Sequence, residues 1–252
     1  MSEGQPKGGM QPIGYMPMPG SDLPAGGGNL GRSLTEPDAP GSEAFAAQTP
    51  VAAPPARPAP PAAAAMPAAE VGRTVRLGRG AFISPAASVV GDVQLGAEVF
   101  VAPGSSIRGD SGAPIAIGDG SNVQDGVVVH AMEGRSVVVG GQQYAVWVGK
   151  NVSLAHQAFV HGPVAIGDGA FVGFRTMVVN STIGRGCVVW HGAFISDVEI
   201  PDGRLVPAGA IVDTPERARS LAPVTNHLRD FAAQVVSNNR RYAQEYREGK
   251  RG

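Results

Sequence analysis

The chain has a single cysteine, Cys187, which excludes an internal disulfide and fits a reducing compartment. Charge is also scarce: charged residues make up 16% of the chain and cancel to a formal net charge of −1. That balance argues against nucleic acid and against an anionic membrane surface as partners. No apolar run is long enough to span a bilayer, and no basic segment followed by an apolar run marks a secretory signal. A cytoplasmic protein is therefore expected.

Glycine, proline and short aliphatics are abundant instead, and they are unevenly distributed. Residues 1–70 are dominated by Gly, Pro and Ala, from GQPKGGMQPIGYMPMPG to VAAPPARPAPPAAAAMPAA. So few large aliphatics leave too little surface to bury against chain entropy, so a disordered tail with extended polyproline-like stretches is expected. A solvated tail or linker is the expected role, with a short recruitment motif as the alternative, for which GNLGRSLTEPDAPGSEAF, the least repetitive stretch, is the candidate.

From residue 71 the composition changes and an internal period emerges. A branched aliphatic recurs every six residues at Ile83, Val89, Leu95, Val101 and Ile107, then at Ile117, Val123 and Val129. After an insertion it resumes at Val148, Leu154, Val160, Ile166, Val172 and Val178. No helix has this period, and a flat strand alternates every two residues. Hexads with small residues at their turns indicate a parallel β-helix: three hexads per triangular coil, aliphatics pointing inward, coils about 4.8 Å apart. The β-helix is expected over 71–213. Gly140–Gly141, inside the insertion, signals a hairpin turn. Thr214 and Pro215 then start a short helix, and a longer one follows from about Asn226 to Glu248. Its stripe of Leu228, Phe231, Val235, Tyr242 and Tyr246 is interrupted by Asn239.

Indexing the hexads assigns walls. Ile107, Val129 and Val160 fall on side one in successive coils, so the residues after them, Arg108, His130 and His161, form one outward column. This requires that the insertion from Ala131 to Trp147 leave the register intact. His156 lies at the end of side three, with Gln124 one coil below. A site using all three histidines closes only if side three of one subunit faces side one of another. The spacing thus predicts a cyclic trimer with heterologous contacts. Three neutral imidazoles plus an open position is the ligand pattern of catalytic Zn²⁺, with Fe²⁺ or Co²⁺ as alternatives. A lone surface histidine is usually only solvated, but two stacked by register beside a third are not explained that way. Asp119, Asp125 and Asp168 sit at coil corners and read as structural turn residues. His191 and His227 have no partner at useful register and read as surface residues.

The segments RGD (108–110), IGDGSNVQDGVVVHAMEG (117–134), QYAVWVGKNVSLAHQAFVHGPVAIGDGAFVGF (143–174) and IPDGRLVPAG (200–209) resemble the gamma class of carbonic anhydrases. They are also similar to the related N-terminal domain of the carboxysome scaffold proteins of cyanobacteria. The resemblance implies a left-handed β-helix, a homotrimer and interfacial metal sites built from His130 and His161 of one subunit and His156 of its neighbour. It implies that Arg108 and Asp110 tie subunits together and order the site. Gln124 matches the residue that holds the attacking hydroxide, and Glu133 matches a proton-shuttle glutamate. Asn239 matches an asparagine that orients carbon dioxide or bicarbonate. Ser111 departs from the pattern, standing where the most studied active members have a glutamate. The activity implied is reversible hydration of carbon dioxide. One alternative is a carboxysome-type scaffold using the same trimer, although residues 1–252 lack the Rubisco-small-subunit-like repeats expected of the long form. A second is a hexapeptide-repeat acyltransferase, which uses a catalytic histidine without three metal ligands.

Overall fold

The computed structural model describes residues 75–251. The tail reading and its motif lie outside the described residues. From Arg76 to Val212 the chain winds into a parallel β-helix whose strands are two to four residues long. Three walls of seven parallel strands each form the prism. Side one runs from Ser88–Gly91 to Ile211–Val212, side two from Arg76–Leu77 to Glu199–Ile200, and side three from Phe82–Ile83 to Leu205–Val206.

The inward aliphatics fill the prism. Val101, Ile107, Val123, Val129, Val148, Leu154, Val160, Ile166, Val172 and Val178 are all 0% exposed. Only the first turns of the series, Ile83 and Val89, are half-buried. Glycines that follow the aliphatics permit the close stacking of coils. A Cβ on Gly118 would stand 2.7 Å from the Gly149 carbonyl carbon one coil up. Real Cβ contacts are not that short, so the coil spacing depends on its absence.

The insertion does not disturb the winding. Val137–Val139 and Gln142–Tyr144 pair as an antiparallel hairpin turning at Gly140–Gly141, which both have positive φ. Val146 then pairs with Ile115 and Val148 with Ile117, so side two resumes in register.

Two helices finish the described chain. Helix α1, Pro215–Ser220, is capped by Thr214, whose side chain accepts from the Arg217 N–H. Its Ala218 is fully buried in the prism core and closes that end. Helix α2, Asn226–Arg247, is capped by Thr225 and lies along side three. Leu228, Phe231 and Val235 pack over Phe171, Val188 and Trp190, and Tyr242 and Tyr246 over Phe82 and Phe100. Its length matches the wall: 22 residues rise about 33 Å, against about 29 Å for six spacings between seven strands.

Candidate metal centre

His130 and His161 are brought together by strand register. Val129 pairs with Val160 and His130 with His161 on the adjacent strands Val128–Ala131 and Phe159–Gly162. Because the valines point inward, both imidazoles point out, with ring centroids 5.5 Å apart. Ile107 pairs with Val129, which puts Arg108 one coil below in the same column. Arg108 is not free: its guanidinium donates twice to Asp110 Oδ2, at 2.9 and 3.2 Å. The other carboxylate oxygen of Asp110 lies 3.1 Å from His130 Nε2, a contact that a bound cation would replace or share. Burial pushes the Asp110 carboxyl up, but hydrogen bonding and charge from Arg108, with help from His130, leave it below its ordinary value. Burial, then the neighbouring His130, lowers the pKa of His161. Both effects favour the neutral imidazole, which is the form that binds metal.

His156 stands apart, at the end of side three, two residues past the buried Leu154. Its Nδ1 lies 3.0 Å from Asp125 Oδ2, leaving Nε2 available. Asp125 therefore does more than shape a coil corner, contrary to the sequence expectation: its carboxylate faces a histidine. A carboxylate behind an imidazole is a common orienting device in metal sites. Among the described residues, no group of three or more His, Cys, Asp or Glu side chains converges within one chain.

Gln124, His156 and Asn239 line one cleft beneath α2, with Phe171, Phe174 and Phe231 as its apolar wall. Gln124 is buried, and its Nε2 donates to Asn122 Oδ1 at 2.9 Å. Asn122 in turn donates to Ser153 Oγ at 2.9 Å. Sequence reasoning missed Asn122 and Ser153. The available signal was a break in pattern: the outward file on side three is otherwise Phe82, Phe100, Phe171, Val188 and Leu205. Asn239 is buried as expected, but its amide donates to Val235 O in its own helix, at 2.9 Å, rather than to the β-helix. An amide that caps a helical carbonyl keeps its own oxygen for the cleft.

Glu133 is exposed on the loop leaving the His130 strand, and the next residue's N–H donates to Ser111 O at 3.2 Å. Ser111 is buried, and among the described residues its hydroxyl has no partner. His191 is not a simple surface residue. It is half-buried, accepts a hydrogen bond from Phe174 N at 3.0 Å, and stacks on the Phe174 ring. His227 is exposed, as expected.

The chain is thus a hexapeptide β-helix with paired histidines on one wall and a third on the next, and it is similar in sequence to a carbonic anhydrase and to carboxysome assembly proteins. The chain is 47% identical over 131 residues to the carboxysome assembly protein CcmM of Nostoc sp., covering 52% of this chain and 24% of that protein. It is 45% identical over 154 residues to the carbonic anhydrase of Methanosarcina thermophila, covering 55% of this chain and 61% of that one. The chain thus spans less than two thirds of the length of either relative. No family model matches it. A putative acetyltransferase structure from Bacillus cereus superposes with a TM-score of 0.58 at 23% identity, covering 69% of this chain and 92% of that one. That likeness establishes the fold and nothing about chemistry.

Proposed function

We propose that three copies of this chain form a cyclic homotrimer that reversibly hydrates carbon dioxide to bicarbonate. His130 and His161 of one copy and His156 of the next would hold Zn²⁺, or Fe²⁺ or Co²⁺ in its place. The observation that carries this reading is the side-one register: two imidazoles on adjacent strands, with the third histidine on another wall. The donor set fits the ion. The His130 and His161 rings are close enough to share it, burial favours the neutral form of His161, and the Asp125 carboxylate backs His156. Similarity to the Methanosarcina carbonic anhydrase supports the same chemistry.

An ion held by three imidazoles supplies a nucleophile at neutral pH by acidifying water. The protein's own groups would do the rest. The Asn122–Ser153 chain locks the Gln124 amide, which would orient the nucleophile and the substrate oxygens at the cleft mouth. The Asn239 carbonyl oxygen would line the far side. The rings of Phe174 and Phe231 would exclude bulk water. Glu133, on its exposed loop, would carry the proton outward, since Ser111 offers no carboxylate and its hydroxyl is buried. Arg108 and Asp110 would hold His130 from below and meet the neighbouring subunit.

In this reading the functional unit is 71–213 with the packed segment 214–252. The tail, 1–70, would recruit an assembly partner, with cytoplasm or a carboxysome as the setting. Among the described residues no helix is long and apolar enough to cross a membrane. A scaffold role is the second reading, favoured by the 47% identity to a carboxysome assembly protein. Metal analysis with stopped-flow hydration, before and after chelation, separates the two. The enzyme reading expects about one metal per subunit and a rate above the uncatalysed one that chelator abolishes. A metal-replete trimer at the uncatalysed rate would leave the scaffold reading.

A further inference from the structure

The His156 side chain is more than half exposed, and so is that of Asp125, whose carboxylate lies 3.0 Å from its Nδ1. A turn carboxylate restrains one edge of the ring and leaves its face free. Phe174 packs against the imidazole in a tilted arrangement, 5.3 Å between centroids and 50° between planes. Phe174 is itself 41% exposed and sits on a coil corner, so its ring needs a second support. His191 supplies it from the next coil: the two rings lie parallel, 4.2 Å apart and 8° from coplanar. The Phe174 N–H also donates to His191 Nδ1 at 3.0 Å, fixing the backbone as well as the ring.

The array continues inward. His191 leans on Trp190 at 4.6 Å, and Trp190 and Phe171 both pack against Phe231 of α2. Gly173 is what lets His191 come this close. A Cβ there would lie 2.8 Å from both the backbone nitrogen and Nδ1 of His191. Burial lowers the pKa of His191, which favours the neutral ring that an Nδ1 acceptor requires.

We infer that His191 is a positioning residue which, through Phe174, fixes the ring of His156 for the intersubunit metal. This rests on the metal-site reading above and extends it to a residue that touches neither metal nor substrate.

The test uses the full chain with three variants. His191→Ala removes both stack and acceptor, His191→Phe keeps the stack alone, and Gly173→Ala displaces the histidine without altering it. Zinc affinity is read by competition with a chromophoric chelator, and the site by the visible spectrum of Co²⁺. The imidazole ¹⁵N–¹H spectrum of the metal-free protein reads His156 directly. His191→Ala and Gly173→Ala are expected to weaken zinc binding roughly 10- to 100-fold, change the Co²⁺ spectrum and broaden the His156 signals. His191→Phe should recover most of the affinity. Unchanged zinc affinity and unshifted His156 signals in the variants that fold would overturn the inference. A wild-type chain that takes up no metal would defeat the metal-site reading alone. The metal-free imidazole spectra then decide the positioning role, broadened signals supporting it and unchanged ones refuting it.

Discussion

Glu133 and Asp119 show how differently two acids serve the coils. Glu133 is exposed on its loop, so its proposed role is transport alone. Glu133→Gln is expected to lower kcat about 10²-fold, with KM and zinc content unchanged. Added imidazole buffer should restore much of the loss, and failure of that rescue would remove Glu133 from the proton path. Asp119 is structural, as its corner position suggested. It accepts from Ala97 N at 2.8 Å and pairs with Lys150 at 3.0 Å. The Ala97 hydrogen bond, then Lys150, holds its carboxyl below the ordinary value. A lowered folded-state pKa means the stabilisation is complete above the unfolded value and disappears as pH falls through the folded one. Asp119→Asn should therefore cost stability near neutrality, and the gap to wild type should close in acid. Urea unfolding between about pH 6 and pH 3 reads this directly. Other residues were not legible in this way. Asn122 and His191 carry ordinary side chains at positions whose meaning depends on what the neighbouring coil and α2 place beside them.

At the scale of elements, the repeat was legible almost throughout. Inward aliphatics and corner residues follow from a period that each hexad declares locally. The hairpin was legible from Gly140–Gly141, and helix α1 from Thr214 and Pro215. What the insertion did to register was not legible, because strand pairing across it joins residues 31 apart. The hairpin pairs with itself, and side two closes without it. Replacing 136–144 with a short Gly-Ser turn is therefore expected to leave the melting temperature within a few degrees and zinc content unchanged. Loss of zinc without unfolding would show that the hairpin helps build the site. Asn239 marks the limit of reading a helix by its stripe. The polar gap was visible, but not whether its amide would turn to the β-helix or, as found, to Val235 O.

For the whole molecule, the decisive feature is what side one leaves uncovered. Met177, Phe194 and Ile211 form an outward file in register, 41%, 36% and 56% exposed, continuing upward from Phe159 beside the histidine column. Burying such side chains is worth about 1.5–3 kcal/mol each, and a second copy is the cover that the trimer proposal requires. Phe194→Glu is expected to shift sedimentation from trimer to monomer and to abolish zinc retention. The monomer's melting should change little, because this ring is already partly exposed. A variant that stays trimeric with full zinc would place the interface elsewhere. The winding and the wall of His130 were determined by sequence alone, because a six-residue period is set by local sterics and burial, whereas the walls of His156 and His161 also needed the register that strand pairing keeps across the insertion. Which side chains meet at the corners was decided only by tertiary structure. Phe174 and His191 are 17 residues apart and Asn122 and Ser153 are 31 apart, and no local pattern specifies how rings and amides from different coils pack.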